Sequence, residues 1–157
     1  MAMTITELFN TSKQAGLNVF SDEHTSLMSI FFEGVEQVIV KVFISEDGFS
    51  VGFYVYNFLK LTNAVNTEAV LSRIVKWNYD YNYIKCAVDD TDGEIRLSIE
   101  IPLFDGKLAS EQVDACFWML ANFAKNMKPR LQELISKGTY PEEVEEEVEE
   151  EEKKEDP

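Results

Sequence analysis

Two cysteines and a single histidine in 157 residues leave little material for metal or redox chemistry. Cys86 and Cys116 could pair only if the fold brought their Cα atoms within about 7 Å, and two cysteines do not make a disulfide framework, so free thiols are expected. His24 sits between Glu23 and Thr25. With no second histidine and no cysteine pair at ligand spacing, it reads as a solvated loop residue rather than a metal ligand. No nucleophile motif or phosphate-binding loop is present, so the expectation is no catalytic residue, no cofactor and no enzyme.

Positive charge is also scarce. Fourteen basic residues against 29 acidic ones give a net charge of −15 and a pI near 4.4, which disfavours direct binding to nucleic acid or an anionic membrane. Lys125, Lys128, Arg130 and Lys137 do gather late in the chain, where cations commonly complement a helix C-terminus. The longest uncharged stretch, Gly48 to Leu59, has twelve residues with Ser50 and Asn57 inside it, well short of the ~20 that a membrane helix requires. Glu7 precedes the first Lys, and neither a basic start nor an apolar stretch follows, so no secretory signal is read and a cytoplasmic location is expected.

What is present divides in two. Residues 141–157 hold ten Glu, one Asp and two Lys, a net −9, which leaves 18 acidic and 12 basic residues in the first 140. Val144 and Val148 are the only branched apolar side chains of that segment, too few to offset an ordering entropy of roughly 1–2 kcal/mol per residue. The expectation is one α+β domain over residues 1–140 and a disordered acidic tail over 141–157.

Periodicity gives the element order α-β-β-β-(β)-α-β-β-α. Thr4-Ile5-Thr6-Glu7 is a capping box, and Ile5, Leu8, Phe9 and Ser12 share a helical face ending near Gly16. Runs centred on LNVF, TSLMSIFFE, QVIVKVFIS and FSVGFYVY alternate with period two. Glu33-Gly34 and Glu46-Asp47-Gly48 supply reversals for a meander. Thr67 is expected to cap a second helix carrying Val70, Leu71, Ile74, Val75 and Trp77. A hairpin follows, with Ile84, Cys86 and Val88 facing one way and Ile95, Leu97, Ile99 and Ile101 opposing Glu94, Arg96, Ser98 and Glu100. Ser110 begins a long helix with Val113, Cys116, Phe117, Leu120, Phe123, Ala124 and Met127 as its stripe. Pro129 kinks it or begins another helix running to Gly138.

Asp90-Thr91-Asp92-Gly93-Glu94 invites a calcium reading, but the first and twelfth loop positions would be Val88 and Ile99, so an Asp-Gly turn is expected. A more specific feature concerns the strands. If Val38, Val40, Val42 and Ile44 point inward, Gln37, Ile39, Lys41 and Phe43 face out. Likewise Phe49, Val51, Phe53 and Val55 oppose Ser50, Gly52, Tyr54 and Tyr56. Ile39, Phe43, Tyr54 and Tyr56 then form either a patch for a protein partner or a second copy, or a face that a helix covers. Trp118 and Met119, off the main stripe of the last helix, raise the same question. A second reading places a small-ligand or enzymatic pocket at Trp77, Tyr79, Tyr81 and Tyr83.

The helix ending in Trp77-Asn78, the Asp92-Gly93 turn, the strand from Ile95 to Pro102 and the helix from Leu108 to Leu134 with Pro129 inside resemble the YbjN family, described as bacterial sensory-transduction regulators. The resemblance spans about Thr4 to Lys137. It implies the fold of type III secretion chaperones, a curved antiparallel sheet with helices packed against it, in proteins that are small, acidic and usually dimeric. It thus implies a homodimeric, non-enzymatic protein-binding module, and the charge balance adds that it meets neither nucleic acid nor membrane directly. The acidic tail lies outside the resemblance.

Overall fold

A computed structural model describes residues 2–21, 26–31 and 37–141. His24, the Glu33-Gly34 reversal and the tail beyond Pro141 lie outside the described residues. The chain runs α1 (Ile5–Gln14), β1 (Val19–Ser21), β2 (Ser26–Phe31), β3 (Gln37–Ile44), β4 (Ser50–Lys60), a 3-10 turn (Leu61–Asn63), α2 (Thr67–Asp80), β5 (Lys85–Val88), β6 (Glu94–Pro102) and α3 (Ser110–Lys137). The fold is α+β in the expected order, with one antiparallel sheet ordered β1-β2-β3-β4-β6-β5.

Local chemistry accounts for the elements. The capping box on α1 is formed: the Thr4 amide donates to Glu7 at 2.7 Å and the Glu7 amide to the Thr4 hydroxyl. Gly48 and Gly93 adopt φ of 72° and 73° in the β3–β4 and β5–β6 turns, the left-handed region that glycine enters without a Cβ penalty. Asn66, not Thr67, caps α2, because its side chain accepts from the Ala69 amide and Thr67 is already the first helical residue. α3 runs unbroken as an element through Pro129 to Gly138, which closes it at φ 76°.

Alternation on the strands sorts side chains as expected. Val40, Val42, Val51, Phe53, Val55, Ile95, Leu97 and Ile99 are buried, together with Leu8 of α1, Val70, Ile74 and Trp77 of α2, and Val113, Phe117, Leu120, Phe123, Leu131 and Leu134 of α3. All belong to one core cluster, so the helices lie against the inward face of the sheet. Other expectations fail. Glu94 and Ser98, expected on the outward face of β6, are buried. Phe49 is exposed because it lies in the turn before β4 begins. Leu71 and Val75 are exposed because the core accepts only the Val70–Ile74–Trp77 side of α2.

Candidate functional site

The outward face of β3, β4 and β6 carries aromatic rings that do not belong to the core cluster. Lys41 pairs with Tyr54 and Phe43 with Gly52 across β3–β4, while Tyr54 pairs with Ser98 across β4–β6. This register converges Phe43, Tyr54 and Tyr56. The Phe43 ring meets Tyr54 at 5.7 Å and Tyr56 at 6.2 Å, both edge-on, and Tyr54 stacks on Tyr56 at 5.5 Å. These are favourable quadrupolar arrangements that hold the rings as a unit. The absence of a bulky side chain at Gly52 leaves room for the Tyr54 ring.

Charge frames the cluster. Lys41 Nζ lies 5.6 Å from the Tyr56 ring centroid and the Arg96 guanidinium 5.0 Å from it, within cation–π range. The Tyr54 hydroxyl donates to Glu100 at 2.8 Å. Partial burial, with the Glu100 carboxylate accepting that proton, pushes the Tyr54 phenol up to about 12. Arg96 donates to Glu94 at 2.7 Å and lies 3.5 Å from Asp89, so the β5–β6 turn is tied to the aromatic face through one side chain.

Four of the six candidate residues thus share one face: Ile39, 42% exposed, and the partly buried Phe43, Tyr54 and Tyr56. Trp118 and Met119 do not join them. They stand on the solvent side of α3, in the opposite layer, with Trp118 edge-on to Phe117 at 5.8 Å.

The turn that invited a calcium reading brings the carboxylates of Asp89, Asp92 and Glu94 within 4.8 Å of one another. Protein cations already face them: Arg96 on Glu94 and Asp89, and Lys60 Nζ 3.2 Å from Asp92. Cys86 and Cys116 are both free. Burial pushes the Cys86 thiol up to about 12 and raises that of Cys116, the opposite of what a thiolate nucleophile needs.

The aromatic run from Trp77 to Tyr83 does not form a pocket as a set. Trp77 is buried edge-on against Phe123 at 5.3 Å and near Tyr140 at 6.4 Å, while Tyr79 and Tyr83 are exposed. Trp77 and Tyr81 do line a cleft of about 400 Å³ with Arg73, Lys76, Asp80 and Tyr140. The sequence reasoning missed a second apolar surface, the exposed Leu71, Val75 and Tyr79 at four-residue spacing along α2. Its signal was there: Val70, Leu71, Ile74 and Val75 span too wide an arc for one buried stripe.

No helix among the described residues is long and apolar enough to cross a membrane. No family model matches the chain, and no curated protein matches it in sequence. Solved structures do match in fold. The HopA1–SchA chaperone–effector complex contains a chain 11% identical, covering 79% of this chain and 91% of that one at a TM-score of 0.55. A chain of the ExsC–ExsE complex is 18% identical, with 82% and 96% covered and a TM-score of 0.60. YbjN from E. coli is 14% identical, with 88% and 96% covered and a TM-score of 0.54. What the chain shares with them is the fold, the one that YbjN and the type III secretion chaperones have in common.

Proposed function

We propose that this chain is a cytoplasmic, non-enzymatic protein-binding module of the chaperone type, which holds an apolar segment of a client on the helix-free face of its sheet and acts as a homodimer. The observation that carries the reading is the ring cluster of Phe43, Tyr54 and Tyr56 standing outside the core. Aromatic side chains with an apolar body, rigid rotamers and a polar tip are efficient anchors for a partner. The likeness to a chain of a chaperone–effector complex supports the same role. The flanking Lys41 and Arg96 suit a client segment that mixes aromatic or aliphatic side chains with acidic ones.

Self-association is assigned to the other exposed apolar surface, the Leu71–Val75–Tyr79 stripe of α2. A single helix stripe packs readily on its own two-fold copy, and this leaves the sheet face open to the client.

The test is selection of binding peptides from a random library against the full chain, followed by titration against Phe43→Ser and Tyr54→Ser. Selected peptides should be rich in apolar residues and lose at least tenfold in affinity on either variant, since truncating an interface anchor typically costs more than about 1–2 kcal/mol. Equal binding to wild type and variants would remove the sheet face from the reading. Light scattering over a concentration series, with Val75→Asp as the comparison, tests the dimer: wild type should dimerise and the variant remain a monomer.

A further inference from the structure

We infer that the C-terminal acidic segment, residues 142–157, is the intramolecular occupant of the exposed α2 stripe and screens it from other partners. The first observation is where the described chain ends. Tyr140 is fixed against α2, with the Arg73 guanidinium 3.7 Å from its ring centroid, Trp77 edge-on at 6.4 Å, and its hydroxyl directed at Met127 Sδ. Pro141 then lines the same cleft as Arg73 and Lys76. The described residues therefore end beside the cations of α2.

The second observation is the order of side chains around that helix. At about 100° per residue, Lys76 lies about 60° from Arg73, Tyr79 about 60° beyond Lys76, and Val75 and Leu71 follow at about 40° steps. A chain leaving Pro141 and crossing α2 thus meets positive charge first and the apolar stripe next. Val75 is 68% and Tyr79 85% exposed, and Thr67, Glu68 and Ser72 flank Leu71 and Val75 along an open groove.

The third is the composition and length of the occupant. Ten Glu and one Asp against two Lys follow Pro141, with Val144 and Val148 four residues apart, the spacing of Leu71, Val75 and Tyr79. Sixteen residues reach up to about 50 Å when extended, whereas the fourteen residues of α2 span only about 21 Å. Glu68 and Asp80 are the acidic groups on the same helix, and Asp80 already pairs with Lys76 at 3.0 Å. With Lys76 partly neutralised by Asp80, the attraction acts chiefly through Arg73, and salt weakens it. The contact stands on its own; only its consequence, a limit on dimerisation, rests on the reading of the stripe as the self-association surface.

The test is paramagnetic relaxation on the full chain. A nitroxide is attached at Glu149→Cys in a Cys116→Ser background, since Cys86 is buried. At about 50 mM salt the amide signals of Leu71, Val75 and Tyr79 should lose most of their intensity, and at about 1 M salt, where screening reaches only ~3 Å, they should recover. The same recovery is expected in Val144→Asp/Val148→Asp. Unchanged signals at low salt would overturn the inference. So would broadening that appears when labelled chain is mixed with unlabelled, isotope-enriched chain, because that contact is between copies. Light scattering separates the two readings: if Val144→Asp/Val148→Asp dimerises more tightly, both hold, and if broadening occurs in a chain that never dimerises, only the homodimer reading fails.

Discussion

The ring of Tyr54 lies over Gly52, so closely that a β-carbon at residue 52 would stand 2.4 Å from Tyr54 Cε2 and 2.8 Å from its hydroxyl oxygen. Gly52 is paired with Phe43 on β3 and Glu100 on β6, so this small residue is the floor of the aromatic cluster. Gly52→Ala should push the Tyr54 ring aside, break its hydrogen bond to Glu100 and separate it from Tyr56. Alanine also relieves a strand glycine worth roughly 0.5–1 kcal/mol, so the urea midpoint should correspond to less than about 1 kcal/mol of change. Affinity for selected peptides should nevertheless fall several-fold. A variant that keeps its affinity would show that the ring stack is not what the client reads.

Acid should loosen the turns before the core. Asp92 is held below its ordinary value of 3.8 by the Glu94 amide and then by Lys60. Asp47 is held below it by the Ser45 hydroxyl and the Phe49 amide, and Glu7 lies below 4.5 through the Thr4 amide and hydroxyl. A carboxylate depressed on folding contributes its stability above the unfolded value and loses it as pH falls through the folded one. The urea midpoint should therefore be flat above about pH 5 and decline below about pH 4. Asp92→Asn should start lower at neutral pH and decline less steeply, because one of the titrating groups is gone. A decline of unchanged steepness would assign the acid sensitivity elsewhere.

Glu94, by contrast with these exposed carboxylates, is buried, at 7% exposure. It accepts from the Asn57 amide at 2.7 Å and from Arg96 at 2.7 Å. Asn57 sits where the β4–β6 register shifts, at φ 49°, and the bulge turns its amide away from the strand ladder. Glu94→Ala leaves that amide without its acceptor and the Arg96 guanidinium with only Asp89 at 3.5 Å, at an expected cost of about 2–4 kcal/mol. Asn57→Gly should be tolerated or slightly stabilising, because glycine enters the left-handed region without a Cβ. Chemical denaturation of the two variants checks both signs.

Much of this was legible in the chain. Period-two alternation assigned Val40, Val42, Phe53 and Leu97 to the core and Phe43, Tyr54 and Tyr56 to the other face, because a strand leaves no third choice. Helix α2 was less legible: apolar side chains at 70, 71, 74, 75 and 77 fit a core stripe, and only the packed structure shows that Leu71 and Val75 fall outside it. Charge misleads in the same way. Alternation placed Glu94 and Ser98 with the solvent-facing residues, yet both are buried, because Asn57 and Arg96, distant or adjacent in sequence, close over Glu94. The joining of Phe43, Tyr54 and Tyr56 into one site depends on β3–β4–β6 register, which no single segment encodes.

Register also explains how α3 tolerates Pro129. The buried residues Phe117, Leu120, Ala124, Leu131 and Leu134, with the partly buried Met127 between them, keep a three-four alternation through the proline, so both halves of the helix are anchored on one core. Pro129 itself is exposed. It cannot donate to the carbonyl of Lys125, which costs up to about 3 kcal/mol in a helix interior, but on the solvent side water can satisfy that carbonyl and the helix can bend around the sheet. Pro129→Ala restores the bond, and a gain of about 1–2 kcal/mol in unfolding free energy is expected, below the full cost because hydration already offsets part of it. A loss of stability would mean that the proline itself helps Phe117 and Leu134 reach the core together. Urea denaturation of the full chain, read by far-ultraviolet circular dichroism, distinguishes the two.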